Sequence, residues 1–208
     1  MSTRLLRQAV PLYAAAHRLI NLGARIWRFR VVGAEHVPLD GPLVVAANHR
    51  SYLDPMLLGA AVPRPLAYMA KEELFHIPLL GPTIRAVGAY PVDRRASPIA
   101  AIKRSVAVLR AGGAVGIFPE GTRNRDGAAA ARAGVALLAS MSGAAVVPAV
   151  LVGTDRALRL HRITVAFGEP IRLQGERKAT RDELENFTAQ VMGAIDALAG
   201  SIGGDSES

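Results

Sequence analysis

Short apolar runs alternate with segments of helical pattern along this chain, and this alternation constrains the fold more than any other feature. The runs are rich in Val, Ile, Leu and Ala and are bounded by polar or turn residues, as is typical of strands buried in a covered sheet. We predict strands at residues 29–32, 43–47, 66–70, 89–92, 114–118, 145–152 and 163–167. The pattern therefore predicts a single α/β domain with a mixed, largely parallel sheet covered by helices on both faces.

Helices are predicted from their start and stop signals. A helix is expected from Asp54-Pro55 to about Ala61, with Asp54 as its N-cap or, alternatively, with a start at Ser51. The other helices are expected in part of residues 74–87 and at residues 97–112, 133–141 and 180–198, the last beginning with a capping box. Pro148 lacks an N–H group, so we expect a bulge or an edge position within the strand at 145–152.

Composition limits the chemistry. The chain has 208 residues and no Cys, which excludes disulfides, Cys-ligated zinc and a thiol nucleophile, and which fits a reducing compartment. The formal net charge of +8 indicates an anionic partner, unless the Arg content reflects coding bias. A nucleic-acid-binding module is not expected, because aromatic residues are few and no basic face carries interleaved stacking residues.

The first thirty residues hold much of the positive charge. They contain six Arg and no carboxylate, with apolar residues between the Arg, and Glu35 is the first acidic residue. No apolar run there reaches the roughly 18–20 residues needed to span a bilayer. We predict that residues 1–28 form a basic amphipathic helical segment on an anionic membrane surface, or alternatively a surface helix docked on the domain. The domain is expected at residues 29–200 and a disordered tail at 201–208.

Four polar stretches follow predicted strands, where one site would collect them in an α/β sheet. They are NHRSYLDP with His49 and Asp54, MAKEEL with Lys71, GAYPVDRR with Arg94, and IFPEGTRNRDG. In the first stretch, the loop can fold back so that the Asp54 carboxylate fixes the imidazole tautomer of His49. The alternative is a loop His beside an independent N-cap Asp.

Two motifs identify a resemblance. The pattern N-H-x-x-x-x-D, from Asn48-His49 and Asp54, and F-P-E-G-T-R, at residues 118–123, resemble the glycerolipid acyltransferases of the bacterial 1-acyl-glycerol-3-phosphate type. Lesser blocks at residues 71–74, 88–94, 147–150 and 168–171 extend the resemblance over roughly residues 29–172.

The resemblance implies roles for particular residues. His49 would be the general base toward a glycerol hydroxyl, and Asp54 would orient it. Substrate binding would involve a larger set: Asn48, Lys71, Arg94, Glu120, Gly121, Thr122, Arg123 and Pro148. Oxyanion donors are expected among backbone N–H groups near the helix that begins at Asp54.

The resemblance also implies partners and a location. The acyl donor would be acyl-CoA or an acyl carrier protein as co-substrate, the acceptor lysophosphatidic acid, and neither a cofactor nor a metal is expected. The protein would lie peripherally on the cytoplasmic face of the cell membrane. The remaining alternatives are another lysophospholipid, glycerol phosphate or glycolipid acceptor, a thioesterase, and a non-enzymatic membrane-surface protein.

Overall fold

Within the residues that a computed structural model of the protein describes, the sheet has seven strands. The structure describes residues 28–78, 80–86, 88–92, 98–119, 125–159, 162–174 and 179–204. The strands are Arg30–Val32 (β1), Leu43–Ala47 (β2), Leu66–Lys71 (β3), Ala89–Val92 (β4), Ala114–Ile117 (β5), Ala145–Val152 (β6) and Thr164–Phe167 (β7). Their spatial order is β1-β7-β6-β2-β5-β3-β4, and neighbours are parallel except for the antiparallel pair of β6 and β7. The predicted mixed, largely parallel α/β sheet is confirmed.

Helices cover both faces of this sheet. They are Asp54–Ala61 (α1), Leu80–Ala86 (α2), Pro98–Arg110 (α3), Arg125–Ser142 (α4) and Arg181–Gly204 (α5), with short 3-10 turns at Ala34–His36, Glu72–His76 and Thr154–Arg159. Apolar residues of α1 pack on one face, where alternate β2 residues such as Val45 point. Residues of α3, α4 and α5 pack on the other face, around Val44 and Ala46. This two-sided burial explains why the strands are apolar along their whole length.

The central strand of the site region is β2. It is buried throughout and lies between β5 and β6, with Val45 in register with Gly116 on one side and Val147 on the other. Because these three strands are parallel, their carboxyl ends meet at one edge of the sheet. The residues that follow β2, β5 and β6 are thereby brought together.

Pro148 does not place its strand at an edge, so that part of the prediction is wrong. Strand β6 is central, and the irregularity lies in the partner segment after β7: Gly168 donates to Pro148, whereas Ile171 exchanges hydrogen bonds with Val146. The chain advances three residues from Gly168 to Ile171, whereas the opposing segment from Val146 to Pro148 advances only two. This bulge lies where the missing N–H of Pro148 would otherwise interrupt a regular ladder.

The ends of α4 and α5 also differ from prediction. Helix α4 begins at Arg125 rather than residue 133, because the Ala run before Gly134 has high helix propensity. Helix α5 continues to Gly204, so residues 201–204 are helical rather than a disordered tail. The predicted leader at residues 1–28 lies outside the described residues apart from Arg28. Among the described helices, none has both the length and the apolar composition needed to cross a bilayer.

Candidate active site

The loop after β2 brings His49 and Asp54 together. Nδ1 of His49 donates a hydrogen bond to Oδ2 of Asp54 over 2.9 Å, and the Asp54 side chain is completely buried. A carboxylate oxygen can only accept here, so the neutral imidazole carries its proton on Nδ1 and its basic lone pair on Nε2. The predicted pairing of His49 with Asp54 is confirmed, and the alternative of a loop His beside an independent N-cap Asp is wrong.

The Asp54 carboxylate is held by the loop that precedes its helix. Its Oδ2 also accepts the backbone N–H groups of Arg50 and Ser51, each at 2.6 Å. Three donors on one oxygen compensate its negative charge inside the protein. Asp54 is the first residue of α1, but the residue at the N-cap position is Leu53 and no side chain caps the helix. The expected N-cap role of Asp54 is therefore wrong, since the carboxylate turns back toward the loop.

Asn48 fixes the start of this loop to the neighbouring strand. Its Oδ1 accepts the N–H of Leu151 at 2.7 Å, and its Nδ2 donates to the carbonyl of Leu151 at 3.0 Å. The side-chain amide thus imitates one further rung between β2 and β6. Asn48 is buried and its amide is engaged at both ends by backbone, so the geometry gives it a positioning role. The predicted contact with substrate stays a prediction.

Phe118 lies against the ring of His49. It directly follows β5, and its ring stacks on the imidazole of His49 with a centroid distance of 4.5 Å and an interplanar angle of 29°. Phe118 belongs to the F-P-E-G-T-R motif, but no role is predicted for it from the sequence. The sequence holds no local signal for this contact, because it depends on β5 lying beside β2 in the sheet.

The other predicted site residues are placed less fully. Lys71 is the last residue of β3 and so lies at the same edge of the sheet as the loop after β2. Arg94 and residues 120–123 (Glu120, Gly121, Thr122 and Arg123) lie outside the described residues, and their roles stay predictions. Pro148 is in register with Ala46, on the face that α5 covers. It is three positions before Leu151, and the described contacts give no geometric support to its predicted part in the acyl site.

Metal binding has no support in the described part of the chain. No group of three or more His, Asp or Glu side chains lies there in an arrangement that could hold a metal ion. The chemistry available at the site is that of a base. A histidine with a defined tautomer, oriented by a buried carboxylate, can remove a proton from a hydroxyl group that lies within hydrogen-bond distance of its Nε2. Fold and site together define a class: α/β proteins with a carboxylate-oriented histidine base at the carboxyl edge of the sheet.

The chain belongs to the acyltransferase family, because the family model described as Acyltransferase matches residues 28–152. It is 34% identical over 146 residues to the 1-acyl-sn-glycerol-3-phosphate acyltransferase of Bacillus subtilis, covering 68% of this chain and 73% of that one. The protein of the same name from Borreliella burgdorferi is 32% identical over 60% of this chain, but the match spans only 51% of that relative.

A solved structure has the same fold. The crystal structure of the 1-acyl-sn-glycerophosphate (LPA) acyltransferase PlsC from Thermotoga maritima superimposes with a TM-score of 0.70, covering 96% of this chain and 83% of that chain. The two sequences are 23% identical. At this identity the likeness establishes the fold.

Proposed function

We propose that this protein transfers a fatty acyl group from an acyl thioester to the free hydroxyl of 1-acyl-sn-glycerol-3-phosphate, which gives phosphatidic acid for phospholipid synthesis. The observation that carries the proposal is the 2.9 Å hydrogen bond from His49 to the buried Asp54, at the edge of the sheet where a base is required. The names of the curated relatives support the choice of acceptor.

The reaction follows from the tautomer of His49. As the glycerol oxygen attacks the thioester carbonyl, its proton passes to Nε2, and Asp54 stabilises the imidazolium. The carbon–sulfur bond then breaks, and the leaving sulfur takes the proton from Nε2. The products are an ester and a thiol. No acyl-enzyme is formed, so the chain needs neither a nucleophilic side chain nor a cofactor.

The oxyanion requires donors other than four of the N–H groups near the start of α1. The N–H groups of Arg50 and Ser51 are bonded to Asp54, and those of Leu53 and Asp54 are bonded to Ser51. These four groups hold the loop together and are not available to a tetrahedral intermediate. The expectation that N–H groups near the start of α1 stabilise the oxyanion therefore excludes these four groups and stays a prediction for the others.

The phosphate and the membrane complete the proposal. Lys71, Arg94 and Arg123 supply positive charge to the acceptor phosphate, and planar Arg side chains suit its oxygens. The donor is acyl-CoA or an acyl carrier protein. Residues 1–28 hold the protein peripherally on the anionic cytoplasmic face of the membrane, where acceptor and product reside.

The test is the transfer of labelled acyl groups to 1-acyl-sn-glycerol-3-phosphate, with acyl-CoA and acyl carrier protein thioesters compared as donors. We expect His49→Ala to lower the rate by at least about 10²–10⁴-fold, the usual contribution of a general base. His36→Ala is a matched control. The side chain of His36 is exposed to a similar degree (31% against 29% for His49) and also faces a carboxylate, that of Glu169. His36 lies in the turn after β1, however, and β1 is an outermost strand of the sheet.

Each outcome of this assay is informative. The His36→Ala protein should retain wild-type activity. Phosphatidic acid formation by folded His49→Ala at a rate near that of the wild type would refute the proposed base. Release of fatty acid without transfer would instead identify a thioesterase, and transfer confined to another lysophospholipid or to glycerol phosphate would change the acceptor. Binding to vesicles without turnover would favour a non-enzymatic surface protein.

A further inference from the structure

We infer that Phe118 is a positioning residue for His49 and that its ring face determines the direction in which Nε2 points. The inference rests on the proposed function for its role in the reaction. The contact itself is a property of the fold, with ring centroids 4.5 Å apart and planes inclined by 29°. This distance and this near-parallel arrangement lie within the range of favourable stacked aromatic pairs.

The two rings meet because of the strand register. Ala46 of β2 is in register with Ile117 of β5, so the two strands leave the sheet side by side. Phe118 is the next residue after Ile117, and His49 comes three positions after Ala46. Phe118 is partly buried and packs against the apolar core that α1 and β2 share. The core thus holds the phenyl ring, and the phenyl ring supports the imidazole.

A hydrogen bond alone does not fix the imidazole. The bond from Nδ1 to Asp54 restrains one point of the ring, around which the ring can still tilt. Tilting moves Nε2, the atom on the far side of the ring, more than any other part of the base. A flat surface against one face of the imidazole removes this freedom. The bond to Asp54 therefore determines the tautomer of His49, whereas the contact with Phe118 determines the orientation of the imidazole plane.

The stacking also responds to charge. When His49 takes the substrate proton it becomes a cation, and the negative face of a phenyl ring attracts a cation within about 6 Å of its centroid. This attraction is absent for the neutral imidazole and develops as the proton is transferred. An interaction that strengthens toward the transition state accelerates the reaction, and it does not tighten substrate binding.

The test compares three variants. Phe118→Leu keeps an apolar side chain but removes the ring, Phe118→Tyr keeps the ring, and Phe187→Leu makes the same change at a buried Phe of α5 on the other face of the sheet. We expect Phe118→Leu to lower kcat by about 2–13-fold, the equivalent of the usual strength of an aromatic pair. The KM values for donor and acceptor should stay unchanged. Phe118→Tyr should restore kcat, and Phe187→Leu should lower the unfolding midpoint but not kcat.

A second measurement detects the contact without any reaction. In NMR spectra, the carbon-bound ring protons of His49 should be shifted upfield by the phenyl ring current in wild-type and Phe118→Tyr protein, and this shift should be lost in Phe118→Leu. Nitrogen-15 shifts should show one dominant tautomer, with the proton on Nδ1, in both the wild-type and the Phe118→Leu protein, because the bond to Asp54 is kept. If the wild-type protein transfers no acyl group, these spectra alone decide the inference, and the failure belongs to the proposed function.

Four results would overturn the inference. One is an unchanged His49 spectrum in Phe118→Leu. Another is an equal loss of kcat in the Leu and Tyr variants, which would mean that the ring is not the property that matters. The third is a Phe118→Leu protein that loses the ring-current shift but keeps the wild-type kcat. A rise in KM with constant kcat would likewise assign Phe118 to substrate binding rather than to positioning.

Discussion

Removing the side-chain amide of Asn48 should destabilise the protein. Both polar groups of Leu151 that face β2 depend on this amide, the N–H at 2.7 Å and the carbonyl at 3.0 Å, and Leu151 is almost completely buried. Asn48→Ala leaves both groups without these partners. A buried polar group that loses its hydrogen bond costs about 1–3 kcal/mol. Since Asn48 itself is 6% exposed, water can reach part of the vacated space, and we expect a total loss of about 3 kcal/mol.

An isosteric variant separates the hydrogen bonds from packing. Asn48→Asp keeps the shape and the acceptor for the Leu151 N–H, but it sets an oxygen against the Leu151 carbonyl. We expect this variant to be at least as unstable as Asn48→Ala at neutral pH, because two acceptors would face each other in a buried position. Asn186→Ala on the exposed face of α5 is the control and should change stability by less than about 0.5 kcal/mol.

The assay is equilibrium unfolding in urea followed by circular dichroism, with acyl transfer measured on the folded variants. Loss of the amide also loosens the backbone that bears His49, so kcat should fall along with stability. The contrary outcome is that Asn48→Ala and Asn48→Asp both unfold at the wild-type midpoint with the wild-type m value. In that case the amide would not hold β2 to β6 in solution.

Three further changes test other parts of the molecule. Arg123→Ala should raise the KM for the phosphorylated acceptor more than that for the thioester, because up to about 2–3 kcal/mol of charge-assisted hydrogen bonding to the phosphate is lost. Equal effects on the two KM values in steady-state kinetics would exclude a phosphate contact. Deleting residues 1–28 should weaken salt-sensitive binding to anionic vesicles in a sedimentation assay, and unchanged partitioning would remove the leader from membrane binding. Gly116→Ala should destabilise the protein by about 1–3 kcal/mol in urea, because a Cβ there would lie 2.5 Å from the buried Tyr68 ring, whereas Gly193→Ala in α5 meets no atom within 4 Å and should be neutral or stabilising. Equal midpoints for these two glycine variants would contradict the packing argument.

The strands that surround the site were predictable because each is a run of consecutive apolar residues. Strands β2, β4 and β6 begin and end where the apolar runs do, and α1 extends from Asp54 to Ala61 as the Asp-Pro pair indicated. The capping box at the start of α5 is also present, with the N–H of Thr180 donating to Glu183 and the N–H of Glu183 donating to Thr180. Local signals were sufficient in each case.

Features that depend on distant neighbours were not predictable in the same way. The bulge that accommodates Pro148 lies in the segment after β7, about twenty residues further along the chain, so the sequence around Pro148 fitted a bulge or an edge position equally well. The direction of the Asp54 carboxylate depends on how the loop folds back, and its spacing fitted an N-cap equally well. The stacking of Phe118 on His49 depends on β5 lying beside β2, which no local pattern specifies.

The position of β2 between β5 and β6 has a consequence for the order of folding. Neither neighbour is adjacent to β2 in the chain, and the amide of Asn48 reaches a residue 103 positions later. During synthesis, the segment with His49 therefore leaves the ribosome long before the strand that completes its surroundings. A nascent chain that ends before β6 contains the whole histidine motif but lacks the frame that orients it, and it exposes an apolar strand with an open edge. Such contacts between distant residues slow folding, so the interval before β6 emerges is the period when this protein most needs protection from aggregation.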